Sequence, residues 1–305
     1  MVLKHFIESQ QLDKEIIFEI FNKADELREK KFIEPVLRGK LLATLFYEPS
    51  TRTRLSFEAA MLKLGGSVIS TENAKEFSSA VKGETLEDSI RIVSSYADAI
   101  VIRHYDEGTA SIAASISKVP VINAGDGKGQ HPTQALLDLY TIYKEIEKLD
   151  GLKIAIVGDL ASGRTARSLC YLLGKFPANE IIFISPEHLK MKDDIKEYLT
   201  RHGVKFIEEN NLDKVLPLVD VVYMTRIQKE RITLDEYNNA RGRYVINQNN
   251  IGLLKESARI LHPLPKIDEI KLSVEIENTD PRVAYFRQAQ NGLYIRMALL
   301  VHMLG

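Results

Sequence analysis

The chain has 305 residues, 45% of them hydrophobic, which is enough for two domains of ordinary size, each with its own core. Its 41 Lys and Arg residues balance 42 Asp and Glu residues, and a net charge of -1 argues against nonspecific nucleic-acid binding, which needs a broad positive excess. One cysteine, Cys170, excludes an internal disulfide and a cysteine-based zinc site, and no run of apolar residues is typical of a signal peptide or a membrane span. We therefore expect a cytoplasmic protein with no membrane or nucleic-acid partner.

The first half of the chain alternates predicted helices and strands. Apolar residues at helical spacing predict a helix over residues 13–31, and "KLLATLFY" is typical of a buried strand. After the cluster "STRTR", residues Leu55, Ala59 and Leu62 predict the apolar face of a helix that ends at Gly65, and "SVIS" follows as a strand. A helix in "GETLEDSIRIVSSY", a strand in "ADAIVIRH", a helix in "GTASIAASIS" and a strand in "VPVINA" complete this half.

The second half repeats the pattern. A long helix in "HPTQALLDLYTIYKEIEKL" leads into the strand "GLKIAIVGD", and the domain boundary is expected along that helix. Strands at "EIIFIS", "VKFI", "DVVYMT", "RYVIN" and "ARILH" follow, and a last helix runs from about residue 285 to 304. This alternation predicts an α/β fold with two domains, each a mostly parallel β-sheet flanked by α-helices. No linker-like stretch separates the halves, so we expect the active site in a cleft between the two domains.

Cationic side chains follow the predicted strands, at the end of a parallel sheet where ligands bind. Taken singly, Ser50 or Thr51 could cap a helix, and an arginine at a strand end is commonly a surface charge. Four strands, however, each lead into an arginine, and this convergence indicates an anionic ligand. Those arginines are Arg52, Arg103, Arg164 and Arg226. Hydroxyls, a guanidinium and a helix N-terminus in "STRT" match a phosphate.

Other chemistries fit the sequence poorly. "GDLASGRT" has the spacing of a nucleotide-binding P-loop, but Arg164 stands where lysine is required, and no strand ends in the aspartate that would hold magnesium. The seven histidines form no H-E-x-x-H pattern, and a cationic site repels divalent metals. Cys170 lies in the apolar run "SLCYLLG" and is interpreted as a core residue. We therefore expect neither a metal nor a cofactor.

The motifs "FYEPSTRTR", "VKGETLEDSIR", "VIRH", "QHPTQALLDLYTI", "YMTRIQKER" and "HPLP" occur in an order that resembles the aspartate carbamoyltransferases over essentially the whole chain. "STRTR" and "HPTQ" alone indicate carbamoyltransferases in general, whereas "TRIQKER" and "HPLP" are similar to the aspartate enzymes. Ornithine enzymes typically have cysteine where Leu264 stands. The resemblance implies transfer of the carbamoyl group of carbamoyl phosphate to L-aspartate, in pyrimidine synthesis.

The resemblance also implies an architecture. Residues 1–134 would bind carbamoyl phosphate, with the C-terminal helix 287–305 packed back onto them, and residues 135–286 would bind aspartate. Such enzymes are homotrimers with active sites shared between neighbours. A separate regulatory chain is a possible partner.

By the same resemblance, each polar residue at the strand ends receives a role. Ser50, Thr51, Arg52 and Thr53 would hold the phosphate. The carbonyl oxygen would be surrounded by Arg52, Thr53, Arg103 and His131. Gln134 and the backbone at Leu264 and Pro265 would bind the carbamoyl amine. Aspartate would be bound by Arg164, Arg226 and Gln228, and by Lys82, which with Ser78 would come from the neighbouring subunit and also take part in catalysis.

The chain departs from the family's sequence pattern at two places, and two alternative functions are compatible with the sequence. Family members commonly have lysine and an aromatic residue where this chain has Ala161 and Ser162, and arginine where it has Lys266, which puts an interdomain ion pair there in doubt. The alternatives are a carbamoyltransferase for another amine, such as ornithine, and a noncatalytic phosphate-metabolite binder. Arg54 is interpreted as a structural ion-pair partner.

Overall fold

The computed structural model describes residues 3–74, 82–229 and 232–305, and the chain divides into two compact units. Unit 1 comprises Met1–Leu136 and Asn291–Gly305, and unit 2 comprises Leu137–Gln290. Each unit contains a parallel β-sheet with helices, which confirms the predicted fold class. Among the described residues, no helix is long and apolar enough to cross a membrane.

The sheet of unit 1 has four parallel strands in the order β2-β1-β3-β4. The strands are β1 (Leu41–Phe46), β2 (Ser67–Glu72), β3 (Ala99–His104) and β4 (Val121–Asp126). Every residue of β4 is buried, and β1 and β3 are buried except for one half-buried residue each, whereas the residues of the edge strand β2 are exposed or half-buried. The continuous apolar runs in the sequence therefore mark the interior of a parallel sheet.

Helices of unit 1 follow the strands as the sequence predicts. They span Lys14–Glu29, Thr51–Lys63, Leu86–Val93 and Thr109–Ile116, with a short 3-10 turn at Ser9–Gln11. Asp13 caps the first helix, because its carboxylate accepts a 2.8 Å hydrogen bond from the backbone amide of Ile16. The helices Pro132–Ile146 and Tyr285–Leu304 cross from one unit into the other.

The predicted buried face of the helix Thr51–Lys63 was wrong. Leu55 and Leu62 are exposed, and the buried side chains are Thr53, Phe57, Ala60 and Met61. Residues 53, 57, 60 and 61 share a helical face because they are spaced by three and four. The sequence prediction put the apolar face on the wrong side of the helix because Leu55 and Leu62 are more hydrophobic than Thr53. In the structure, however, Thr53 faces the interior.

The sheet of unit 2 has five parallel strands in the order β10-β8-β5-β6-β7. They are β5 (Lys153–Val157), β6 (Glu180–Ile184), β7 (Lys205–Glu209), β8 (Val221–Met224) and β10 (Arg259–Leu261). The predicted strand "RYVIN" does not join this sheet. It supplies β9 (Ile246–Asn247), which pairs with β11 (Ile270–Lys271), a strand that the sequence did not predict.

The helices of unit 2 lie between these strands. They span Arg164–Leu173, Asp193–Arg201, Leu212–Val215, Leu234–Ala240 and Val274–Thr279, with 3-10 turns at Glu187–Leu189, Leu216–Leu218 and Ile251–Leu253. Cys170 is fully buried in the first of these helices, and burial raises the pKa of its thiol. The interpretation of Cys170 as a core residue is confirmed.

Candidate active site

In unit 1 the strand register brings two predicted site segments to the same edge of the sheet. Phe46, the last residue of β1, lies opposite Arg103 of β3, and the Tyr47 amide donates a 2.8 Å hydrogen bond to the Arg103 carbonyl. His104 of β3 lies opposite Asp126 of β4, from which the chain runs on to His131. The "STRT" cluster, Arg103 and the loop before His131 therefore all leave the carboxyl edge of one sheet, where parallel sheets bind ligands.

The helix that follows β1 begins in a manner suited to an anion. Ser50 occupies the N-cap position and its carbonyl accepts the Arg54 amide at 3.1 Å, but its side chain makes no capping hydrogen bond. The first turn contains no acidic residue. Helix capping therefore does not account for the Ser50 hydroxyl, and the helix start can offer amides, hydroxyls and a positive dipole end to a phosphate.

The two arginines of the cluster differ in their surroundings. Arg52 is exposed, and partial desolvation lowers the pKa of its guanidinium. Arg54 points its Nη2 at Glu72 Oε2, 2.6 Å away, and its Nη1 lies 3.4 Å from Glu58 Oε1. The interpretation of Arg54 as a structural ion-pair partner is confirmed, whereas Arg52 is exposed in the first turn of the helix.

Arg103 is held by groups of its own unit. Its Nε lies 3.3 Å from Glu48 Oε2, and its Nη1 donates a 3.4 Å hydrogen bond to the Ala124 carbonyl on the neighbouring strand. The side chain is 13% exposed. A guanidinium fixed in this way presents its charge at the sheet edge with little conformational freedom left to lose.

The loop before His131 is organised by Asp126. The Asp126 carboxylate accepts the Gln130 amide at 2.9 Å and the Gly108 amide at 3.0 Å. His131 and Gln134, at the start of the helix Pro132–Ile146, are both buried, and the Gln134 amide donates to the His131 carbonyl at 3.0 Å. Asp126 was not singled out from the sequence, although its place in "AGDG" after a strand was a usable signal.

In unit 2 three neighbouring strands end at one edge. Val157 of β5 lies opposite Met224 of β8, and Tyr223 of β8 lies opposite Leu261 of β10. The segments that follow these strands carry the predicted residues of this unit. They are Arg164, Arg226, Gln228, Leu264 and Pro265. The segments that carry these residues thus leave the carboxyl edge of the unit 2 sheet, as the "STRT", Arg103 and His131 segments leave that of unit 1.

Burial differs among the residues of unit 2. Arg164 is the first residue of its helix and only 7% exposed, whereas Arg226 and Gln228 are half-buried. Arg226 lines a pocket together with Gly158, Thr225 and Tyr244, among other residues of this unit. A guanidinium at the wall of a pocket can bind a carboxylate through two parallel hydrogen bonds.

Leu264 has an unusual backbone conformation. Its φ is 53°, in the left-handed region, and the Leu264-Pro265 peptide bond is cis. The Leu264 amide donates a 2.8 Å hydrogen bond to Nδ1 of His262. The sequence motif "HPLP" located this loop but gave no sign of the contacts that shape it.

Lys82 is exposed, and Ser78 lies outside the described residues. Lys266 forms a 2.7 Å ion pair with Glu277 of its own unit. The Ala161 amide donates to the Leu189 carbonyl at 3.1 Å, so this part of the loop before Arg164 is fixed by backbone contacts.

Within the described ranges, no group of three or more His, Cys, Asp or Glu residues is arranged to hold a metal ion.

Two family models cover almost the whole chain. The aspartate/ornithine carbamoyltransferase carbamoyl-P binding domain matches residues 4–144, and the aspartate/ornithine carbamoyltransferase Asp/Orn binding domain matches residues 150–303.

Known proteins of that family are similar along the full length of the chain. The chloroplastic aspartate carbamoyltransferase of Arabidopsis thaliana is 58% identical over 303 residues, covering 98% of this chain and 77% of that protein. The catalytic subunit of Methanocaldococcus jannaschii aspartate transcarbamoylase superposes with a TM-score of 0.88 at 47% identity, covering 99% of this chain and 98% of that one. Aspartate transcarbamoylase from Trypanosoma cruzi in complex with carbamoyl phosphate and aspartate gives a TM-score of 0.92 at 38% identity, with coverages of 99% and 96%.

Proposed function

Because the chain belongs to the family of aspartate and ornithine carbamoyltransferases, we propose that it transfers the carbamoyl group of carbamoyl phosphate to the amine of L-aspartate. The products are N-carbamoyl-L-aspartate and phosphate. The observation that carries the proposal is the register of unit 1, in which the "STRT" helix start, Arg103 and the His131 loop leave one sheet edge.

Carbamoyl phosphate is the ligand of unit 1. Its phosphate accepts hydrogen bonds from the backbone and hydroxyls at the start of the helix Thr51–Lys63, at Ser50, Thr51 and Thr53, and pairs with Arg52. Arg103, already fixed by Glu48 and Ala124, and the buried His131 donate to the carbonyl oxygen. These donors are in place before the substrate arrives, so they need no reorganisation as the reaction proceeds.

Aspartate is the ligand of unit 2. Both of its carboxylates need cationic partners, and Arg164 and Arg226 supply them, with Gln228 as a further donor. A cationic amino acid such as ornithine would instead require acidic partners for its second amine. The guanidiniums at this edge therefore favour aspartate over ornithine.

The chemical step is a direct displacement. The aspartate amine attacks the carbamoyl carbon, a C–N bond forms, and negative charge develops on the carbonyl oxygen facing Arg52, Thr53, Arg103 and His131. The C–O bond to phosphate then breaks, the phosphate leaves with the electron pair, and the attacking nitrogen passes a proton to the departing phosphate. Two effects account for catalysis without a covalent intermediate. Donors already oriented toward the carbonyl oxygen stabilise its developing charge, and cationic side chains hold the two anionic substrates next to each other. Loss of one such donor typically costs a rate factor of about 100 to 1,000.

The assay offers carbamoyl phosphate with aspartate and, in parallel, with ornithine, and measures both phosphate release and the carbamoylated amino acid. We expect product with aspartate and a rate at least about 100-fold lower with ornithine, because the ionic contact of the second carboxylate is lost and a cationic amine is brought against a guanidinium instead. Faster carbamoylation of ornithine would overturn the choice of amine. Binding of carbamoyl phosphate without turnover of either amino acid would support the noncatalytic alternative.

Several finer points are proposals from the sequence. We propose a homotrimer in which Ser78 and Lys82 act in the site of a neighbouring subunit, and Lys82 is exposed as this role requires. A cytoplasmic location and a separate regulatory chain are proposed on the same basis. Light scattering of the protein alone and mixed with a candidate partner measures the assembly, and a monomeric mass with full activity would contradict the shared site.

A further inference from the structure

A short segment before the first α-helix pairs with the outer side of the unit 1 sheet. β4 is the last strand of that sheet, so the backbone on its outer side needs partners from elsewhere in the chain. The Phe6 amide donates to the Val121 carbonyl at 2.8 Å, and the Asn123 amide donates to the Phe6 carbonyl at 2.9 Å. Nδ2 of Asn123 also donates to the Ile7 carbonyl at 3.0 Å. Residues 5–11, the flanking segment, therefore lie where a fifth strand would continue the sheet.

The flanking segment is held in shape by one glutamine of its own. Oε1 of Gln11 accepts the amides of Ile7 and Glu8 at 2.7 and 2.9 Å, and its Nε2 donates to the His5 carbonyl at 3.0 Å. Among the described residues, the side chain of Gln11 makes its hydrogen bonds only within the flanking segment. Gln11 therefore controls the conformation of this segment without bonding to the sheet or to the loops that leave it.

A second glutamine joins the flanking segment to the loop before His131. Oε1 of Gln130 accepts the Ser9 amide at 2.9 Å, and its Nε2 donates to Oε1 of Gln10 at 2.8 Å. Ser9 is fully buried, so loss of its acceptor would leave the amide without a partner away from water. Both ends of the Gln130 amide group are thus used on the flanking segment.

The backbone of Gln130 is bonded within the loop. Its amide donates to Oδ1 of Asp126 at 2.9 Å, and its carbonyl accepts the Asp126 amide at 3.2 Å. Oδ1 of Asp126 also accepts from Nδ2 of Asn123 at 3.2 Å, the same group that donates to the Ile7 carbonyl. The loop over residues 126–130 is therefore fixed to the flanking segment at two places, through Gln130 and through Asn123.

The loop has a second support in the segment that follows β3. The Gly127 amide donates to the His104 carbonyl at 2.9 Å, and a Cβ atom at position 127 would overlap the carbonyl oxygen of Tyr105 and the amide of Glu107. This support is continuous with a central strand of the sheet. The flanking segment is therefore the support that substitutions can weaken without altering the sheet itself.

His131 follows Gln130 directly and is 4% exposed. Its carbonyl accepts the Gln134 and Ala135 amides at 3.0 and 3.1 Å, so the first turn of the next helix fixes the chain on one side of His131. The loop fixes the chain on the other side, through the contacts of Gln130.

We propose that the flanking segment, acting through Gln130, positions His131 for the reaction. Gln130 is a positioning residue in this arrangement and does not touch the substrate. The inference rests on the proposed function, in which His131 donates to the carbonyl oxygen. The phosphate is held at a different place, the start of the helix Thr51–Lys63. Loss of the flanking segment's contacts should therefore lower the rate of reaction without weakening the binding of phosphate.

The test measures turnover and backbone hydrogen exchange in variants on the two sides of this contact. Gln130→Ala removes both side-chain bonds to the flanking segment, whereas Gln11→Ala loosens that segment and alters no residue of the loop. By mass spectrometry, we expect the amides of residues 126–130 to exchange about five- to tenfold faster in each variant, the effect of one lost hydrogen bond. Because displacement of a catalytic group lowers the rate steeply, we also expect kcat to fall about tenfold in each.

Binding of inorganic phosphate separates positioning from a general loss of structure. Calorimetry on the full chain should give a Kd for phosphate within about twofold of the wild-type value in both variants. Lys128→Gln is the matched control, because Lys128 is an exposed residue of the same loop, and kcat and loop exchange should stay within about twofold. The double variant of Gln11→Ala and Gln130→Ala should be no slower than the slower single variant, since both act through one contact.

Unchanged kcat in both folded variants would overturn the proposal, whatever the exchange rates. Parallel losses of kcat and of phosphate affinity would also overturn it, because that pattern is a general loss of structure. If Gln130→Ala does not fold, Gln11→Ala decides. A wild-type chain without turnover would refute the proposed function before any variant is compared. The exchange rates would then decide the inference alone, and unchanged exchange of the loop in both variants would overturn it.

Discussion

Gly158 lies directly against the backbone of Thr225 where β5 and β8 end. A Cβ atom at position 158 would overlap the Thr225 carbonyl oxygen, and the φ of Gly158 is +120°, which side chains rarely adopt. The Thr225 amide and hydroxyl both donate to the Val157 carbonyl at 2.8 Å. This close approach sets the spacing of the two segments that lead to Arg164 and Arg226.

We predict that Gly158→Ala destabilises the protein by about 2–4 kcal/mol, since both the steric overlap and the backbone conformation oppose it. Urea unfolding monitored by circular dichroism measures the change. Gly151→Ala is the matched control, because Gly151 also has a positive φ but a Cβ there has no atom within 4 Å. We expect it to cost about 1 kcal/mol. Equal losses in both variants would show that the contact with Thr225 has no energetic consequence.

Arg52 and Arg54 lie two residues apart on one helix. Variants at these two positions therefore distinguish a loss of turnover from a loss of stability. We predict that Arg52→Ala lowers kcat by about 100- to 1,000-fold and leaves the free energy of unfolding within about 0.5 kcal/mol, because the exposed guanidinium acts on the substrate. Arg54→Ala should lower stability by about 1 kcal/mol through loss of its pairs with Glu58 and Glu72, with a much smaller loss of turnover. Unchanged turnover in Arg52→Ala would refute the role given to that residue.

The sequence was sufficient to predict the alternating fold and the segments that form each sheet edge. Short apolar runs such as "KIAIV", alternating with amphipathic helices, favour interior parallel strands, and arginines that follow such strands are expected at the carboxyl edge of the sheet. The fold class was predicted because two different signals, strand composition and strand spacing, agreed.

Side-chain contacts over long sequence distances could not be predicted. Leu55 and Leu62 appeared to define the buried face of their helix, yet Thr53 and Phe57 do so, because the position of the neighbouring sheet decides which face is covered. The contact between His262 and Gln288 joins residues 26 positions apart, and that between Gln288 and Asp138 joins residues 150 apart. No local pattern encodes such pairs.

Arg226 provides a test of how the two substrates are divided between the units. We predict that Arg226→Ala raises KM for aspartate about 10- to 100-fold, the cost of one lost charged contact, and changes the Kd of carbamoyl phosphate by less than about twofold. Steady-state kinetics and calorimetry give the two values. Arg201→Ala, at the end of the helix Asp193–Arg201 in the same unit, is the control and should change neither. A comparable loss of carbamoyl-phosphate affinity would assign Arg226 to the other substrate.

Glu145 provides a test of stability against pH. Its Oε1 lies 2.6 Å from Nε of Arg287 and its Oε2 lies 2.9 Å from Nε of Arg259, with the Glu145 side chain 13% exposed. Burial alone would raise the pKa of Glu145, but hydrogen bonds from Arg287 and Arg259 outweigh it and lower the pKa. We predict that Glu145→Gln costs about 1–3 kcal/mol at pH 7, less than a fully buried pair because Arg287 reaches solvent.

The dependence of this cost on pH has a definite sign. A carboxyl group whose pKa is lower in the folded state contributes its full stability above the pKa of the unfolded chain, which is about 4.3 for glutamate. The contribution is lost as the pH falls below that value and through the folded pKa, because folding then requires release of a proton that the unfolded chain retains. The difference in unfolding free energy between wild type and Glu145→Gln should therefore shrink steadily below about pH 4.3. Glu197→Gln, at an exposed position, is the control at pH 7 and should change the unfolding free energy by less than about 0.5 kcal/mol. A difference that stays constant into the acid range, with both proteins folded, would mean that packing around residue 145 and not its charge supports this part of unit 2.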